Sequence, residues 1–154
     1  MEITEEFDEL EQASRSSRLI ASMLDGLIMM VAWVPSAYLL GMFETIDSGL
    51  EPTLTQLSVS AFIGIAFYFL VNWRLLSSNA QTIGKRLNNI KVVNLEGEKP
   101  SMSDLLLKRY LPFFGLGYIP FIGNIASTLN LLWIFGKDRR CLHDLIAKTK
   151  VVQG

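Results

Sequence analysis

From Leu19 to Phe43 the chain runs for 25 residues with a single charge, Asp25. A helix rises 1.5 Å per residue, so about 20 apolar residues cross the hydrocarbon core of a bilayer. This run is long enough to do so with some tilt. Leu57 to Leu76 is a second run of the same kind, with Trp73 and Arg74 near its end. An indole at headgroup level and a long basic side chain that snorkels outward suit the end of a membrane helix. Between the two runs, Glu44 to Gln56 is a polar loop without Lys or Arg. Only 19% of the residues are charged and 50% are hydrophobic. Soluble domains carry about a quarter charged residues. The expectation is a small polytopic membrane protein, not a soluble domain.

A third apolar region is less regular. Ser101 with Asp104 forms a capping box before Leu105, so a helix starts there. Tyr110 to Gly136 then runs 27 residues without a charge, interrupted by Pro112, Gly115, Gly117, Pro120, Gly123 and Asn124. The region 104–136 is either one kinked span or a short helical hairpin folded at Pro120 to Gly123. Two full crossings need about 40 residues, so a hairpin would be short or re-entrant, with its turn buried in protein.

Charge placement favours the hairpin. Lys and Arg collect on the cytoplasmic side of inner-membrane proteins. Arg15 and Arg18 precede the first run, and seven basic residues lie from Arg74 to Arg109. The N-terminus and the 77–103 loop are therefore expected in the cytoplasm, with 44–56 outside. The tail carries Lys137, Arg139, Arg140, Lys148 and Lys150, and a single third span would leave them outside. Two short strand-like runs, 89–93 and 148–152, are each too small to be stable alone. Pairing with each other satisfies both and requires one side of the membrane.

The expected fold is thus an all-α polytopic membrane protein with spans at about 19–43 and 57–76. A broken third hydrophobic region at 104–136 and a small two-stranded cytoplasmic β element complete it. An acidic tail, 1–17, precedes the membrane domain, 18–152, and residues 153–154 follow it. No cleavable signal peptide is expected, because six acids between Glu2 and Glu11 replace the basic start such a peptide needs. Ile3, Phe7 and Leu10 share one helical face. The segment reads as a solvated tail, ahead of a short amphipathic helix docking on a basic partner.

Few residues carry chemistry. A carboxylate in a membrane helix costs about 2.5–3.5 kcal/mol, so Asp25 needs a bundle interior and a partner. Arg18 lies two turns earlier on the same face, about 10 Å along the axis. An ion pair anchoring the helix is weighed above cation binding or titration. His143 and Asp144 form either a proton relay, since His titrates near neutrality, or a capping network at the membrane surface. One histidine and the lone Cys141 give too few soft ligands for a metal site. Gln81 to Leu87 lacks the first glycine and the hydroxyl of a phosphate-binding loop, and Gly115–Gly117 fails the dinucleotide pattern. No cofactor is expected, no nucleophile–base arrangement points to an enzyme, and the near-neutral net charge of −1 gives no case for nucleic acid.

Taken together, these pieces resemble the RDD family of bacterial membrane proteins, named for one arginine and two aspartates. The segment Arg18-Leu-Ile-Ala-Ser-Met-Leu-Asp25 is similar to the family's first helix. Thr82 to Val93 is similar to its middle loop, and Arg139 to Val152 to its C-terminal signature, with Asp144 the second aspartate. Ile83 and Lys148 depart from it, standing where a small or turn residue is expected. The resemblance implies the membrane fold. It also implies a network of Arg18, Asp25 and Asp144, with His143 and Arg86 nearby. For function it implies monovalent cation/proton antiport or a place in a transport system. The other class weighed is a non-catalytic membrane scaffold or assembly factor. The expected partners are the lipid bilayer, a second copy of the chain or another membrane protein.

Overall fold

A computed structural model describes residues 11–117, Ile125, Leu129 and 141–154. Helix α1 (Arg15–Leu39) starts at Ser14, whose hydroxyl accepts from the Ser17 amide at 3.1 Å. It ends at Gly41, whose φ of +68° needs no Cβ to be avoided, and a short helix α2 (Met42–Asp47) follows. The polar loop expected after the first apolar run therefore contains a helical turn. Helix α3 (Leu54–Asn79) begins with a full capping box between Thr53 and Gln56. Helix α4 (Ile83–Leu87) and strand β1 (Ile90–Asn94) follow. Residues Asp104–Tyr110 wind as a π-helix that continues into α5 (Leu111–Gly117). Helix α6 (Leu142–Ile146) and strand β2 (Thr149–Gln153) close the chain.

α1 and α3 are both long and apolar enough to cross a membrane. Only 17% of each apolar window is buried, whereas the core helix of a soluble protein would be mostly covered. On α1, Met23, Leu27, Val31 and Tyr38 recur at spacings of one or two helical turns and are each at least 60% exposed. The opposite face carries Arg18, Ala21 and Asp25. On α3 the buried stripe is Ser60, Gly64, Tyr68, Asn72 and Leu76, one residue every four. This is polarity turned inside out, small and polar toward the partner helix and apolar outward, as lipid-exposed helices require. At Gly64 a Cβ would meet Trp33 at 3.2 Å and Met29 at 3.3 Å, so glycine lets α1 approach.

β1 and β2 pair antiparallel, Ile90 opposite Gln153 and Asn94 opposite Thr149, as their isolated weakness demanded. Gln12 bridges to Val152, and the Ala13 amide donates to the Val151 carbonyl at 3.0 Å. The segment before α1, the loop after α3 and the C-terminal strand thus meet at one end of the helix pair. α1 begins three residues before the expected boundary at Arg18, and β2 extends into the residues taken as a tail. The amphipathic N-terminal face, the turn at Pro120 to Gly123 and the basic Lys137, Arg139 and Arg140 lie outside the described residues. So does the choice between a hairpin and a kinked span.

Each strand is preceded by a residue in left-handed conformation, Asn89 and Lys148, both at φ +51°. Asparagine tolerates this region, but lysine does not. The sequence's departure at Lys148 is therefore a strained departure, whereas Ile83 takes ordinary helical geometry at the start of α4. Lys148 stands just past the end of α6, where glycine is the usual residue. Lys148→Gly should stabilise the protein by about 0.5–1 kcal/mol. Thermal unfolding in detergent checks this, and an unchanged or lower midpoint would contradict it.

Candidate functional site

Asp25 sits on the inner face of α1, 7% exposed. Its carboxylate accepts the Thr82 hydroxyl at 2.5 Å and the Gly84 amide at 2.9 Å. The Lys85 ammonium stands 3.5 Å away. All three donors come from the short α4 segment, whose start Thr82 also caps by accepting from the Lys85 amide at 3.3 Å. Asn72 on α3 holds the same segment by accepting the Ile83 amide at 2.7 Å. The stretch that tempts a phosphate-loop reading is instead a clasp: α4 lies in the notch beside α1 with the Gly84 amide aimed at Asp25. Gly84 makes this possible, because a Cβ there would fall on the Ala21 carbonyl oxygen and within 2.8 Å of Asp25 Oδ1.

Asp144 forms a second centre and is fully buried. Arg18 donates to its Oδ2 and Arg109 to its Oδ1, both guanidiniums being nearly covered. The Cys141 amide donates to Oδ2 at 3.1 Å, so Asp144 also caps α6. Arg109 additionally donates to the Thr149 hydroxyl at 2.7 Å. Burial alone would raise the Asp144 carboxyl. The charges of Arg109 and Arg18 and the Cys141 amide outweigh it and hold the group well below the usual carboxylate range. Burial and the Arg109 charge push the neighbouring His143 down to about 3, so it is neutral near pH 7. A relay that depends on His143 titrating near neutrality has no support in this surrounding, although its Nε2 lies 3.7 Å from Asp144 Oδ1.

The residues expected in one network therefore divide. Arg18 reaches past Asp25 to Asp144, 126 positions away, and does not pair with its helix neighbour. Arg86 joins neither centre; it is exposed on the far side of α4. Its place is taken by two bases that the sequence argument passed over, Lys85 beside Asp25 and Arg109 beside Asp144. Lys85 could have been found from the spacing in Thr82-Ile-Gly-Lys85, which puts hydroxyl and ammonium one helical turn apart. Arg109 carried a weaker signal, a base at the entry to an uncharged run.

A cavity of about 360 Å³ opens between the two centres. Asp25, Lys85, Arg109, Tyr68, Tyr110 and His143 supply its polar atoms, and apolar side chains of α1 and α5 form most of the remainder. Among the described residues, the buried Tyr110 hydroxyl has no partner in hydrogen-bonding geometry. Cys141, His143 and Asp144 bring potential ligand atoms within 4.8 Å of one another. The Asp144 oxygens are already engaged by two guanidiniums, whose charge opposes a metal cation there.

A family model described as the RDD family matches residues 12–148. An uncharacterized protein of Bacillus subtilis, YxaI, is 34% identical over 100 residues, which cover 64% of this chain and 58% of that protein. This chain thus matches less than two thirds of the length of that relative. An uncharacterized protein of Haemophilus influenzae is 27% identical over 147 residues, covering 94% of this chain and 80% of that one. No solved structure matches.

Proposed function

Because the chain belongs to the RDD family, we propose that it is an integral protein of a bacterial inner membrane that exchanges a monovalent cation for protons, by itself or as a component of a transport system. The observation that carries this is the position of Asp25, an ionisable group on an apolar helix, paired with Lys85 at the wall of a cavity. Intramembrane carboxylates of this kind mark ion and proton paths. In the proposed cycle a cation entering the cavity displaces the Lys85 ammonium from Asp25, and a proton arriving on Asp25 releases the cation. The chain is not an enzyme in this proposal. A second copy would help two or three helices enclose a path.

We infer the membrane orientation from charge and pairing. The basic stretch from Arg74 to Arg109 supports a cytoplasmic 77–103 loop. Gln12 and β2 pair at the same end as β1, which supports a cytoplasmic N-terminus and C-terminus as well. The test is reconstitution in vesicles with an internal pH dye. Asp25→Asn keeps one acceptor oxygen for the α4 donors and loses the charge, so cation-dependent proton flux should fall at least about tenfold while the helical signal stays. Equal flux in the variant, or none in the parent, would overturn the proposal.

A non-catalytic scaffold or assembly factor is favoured by a different observation. Asp25 is fully engaged by donors from one segment, as a structural clasp would be. On that reading crosslinking in native membranes recovers a stoichiometric membrane-protein partner, and vesicles show no flux.

A further inference from the structure

A second concavity, of about 490 Å³, lies just beyond the C-terminal end of α3. It belongs to neither buried carboxylate centre. Ser78 and Asn79 of α3 form one side, β1 the floor, and the turn around Gly97 the other side. Three bases converge on it from three separate elements: Arg86 from α4, Lys91 from β1 and Lys99 from the strand-following turn. No acidic side chain lines it among the described residues. Arg86, Lys91 and Lys99 also make no ion pair among the described residues. Here the sequence's misplaced Arg86 finds a setting.

The walls are held in place. The Lys99 ammonium donates to the Ser77 carbonyl, tying the turn to the last turn of α3. The Asn94 side chain accepts the Glu98 amide at 2.8 Å, and Gln81 donates to the Ile90 carbonyl at 3.0 Å. Lys91 is half-buried, and Gly154 lies against its aliphatic stem at the cavity. A polar concavity with three cations and, among the described residues, no acidic side chain attracts an anion, and a guanidinium beside ammonium groups suits phosphate oxygens. Its place one turn past an apolar helix puts it at headgroup depth, where basic pockets on the cytoplasmic side take phosphate groups.

We propose that the groove between the end of α3, α4 and β1 binds a phosphate-bearing anion through Arg86, Lys91 and Lys99. The shared chemistry is a phosphate group, carried either by an anionic lipid or by a soluble molecule. The full chain in neutral detergent is titrated by calorimetry with dihexanoyl phosphatidylglycerol and, separately, with inorganic phosphate. One-to-one saturable binding of at least one probe is expected. Arg86→Gln and Lys91→Gln should each weaken it about tenfold, while Arg86→Lys keeps most of it. Lys108→Gln, which removes the same charge outside the groove, should leave it unchanged. Saturation by the lipid alone supports a membrane source, and equal binding of inorganic phosphate supports a soluble one. No saturation by either probe would overturn the proposal. So would equal weakening by Lys108→Gln, or unchanged binding in both groove variants with an unchanged melting midpoint.

Discussion

Asp144→Asn should destabilise the protein by about 3–5 kcal/mol, the largest effect expected of any conservative substitution here. The side chain keeps its size, so packing is not the cause. Asp144 compensates two nearly covered guanidiniums, Arg18 and Arg109, and accepts the amide that starts α6. An amide offers one acceptor where the carboxylate offers two, and it leaves both cations without a counter-charge from this residue. Such a loss is far costlier than that of an exposed pair such as Asp104–Lys108, which solvent screens. Thermal unfolding in detergent should show a fall of roughly 10 °C. A shift as small as that of Asp104→Asn would mean that other groups carry the compensation. The pH dependence has a definite sign. The folded carboxyl is depressed, so its contribution is complete above the ordinary carboxylate range and is lost as pH falls through the folded value.

Gly84→Ala should cost about 3 kcal/mol or more, through sterics. The added Cβ would collide with the Ala21 carbonyl and crowd the Asp25 carboxylate at 2.8 Å. A backbone oxygen in the middle of α1 has no rotamer to change, so α4 must move away. That movement breaks the bonds from Thr82 and Gly84 to a charged acceptor, each worth about 1.5–3 kcal/mol. Gly26→Ala is the matched comparison, since nothing lies within 4 Å of a Cβ there and alanine is the better helix former by about 1 kcal/mol. If the two variants melt together, α4 is not held in its notch by close approach.

The helices and the sheet were legible because their signals are cumulative. Long uncharged runs predict α1 and α3 within about four residues, and the need of each short strand for a partner predicts β1 with β2. Sequence also located Arg18, Asp25 and Asp144, because charge in or beside an apolar run is rare enough to count. It did not reveal how they pair. Proximity along α1 made Arg18 and Asp25 natural partners, yet their side chains turn to different segments. Whether Lys85 or Arg86 faces inward depends on the rotation of a five-residue helix, and a hydrophobic pattern that short fixes no phase. The α4 notch depends on the absence of one methyl group at Gly84, which no periodicity records.

The pairing of β1 with β2 has a bearing on how the protein is made. β1 leaves the ribosome well before β2, its hydrogen-bonding partner. Arg18 waits longer still for Asp144, 126 positions later. Until β2 and α6 have been made, the β1 edge and the Arg18 side chain cannot make these contacts. A chain in which β2 has not docked leaves an open strand edge of the kind that quality control can recognise.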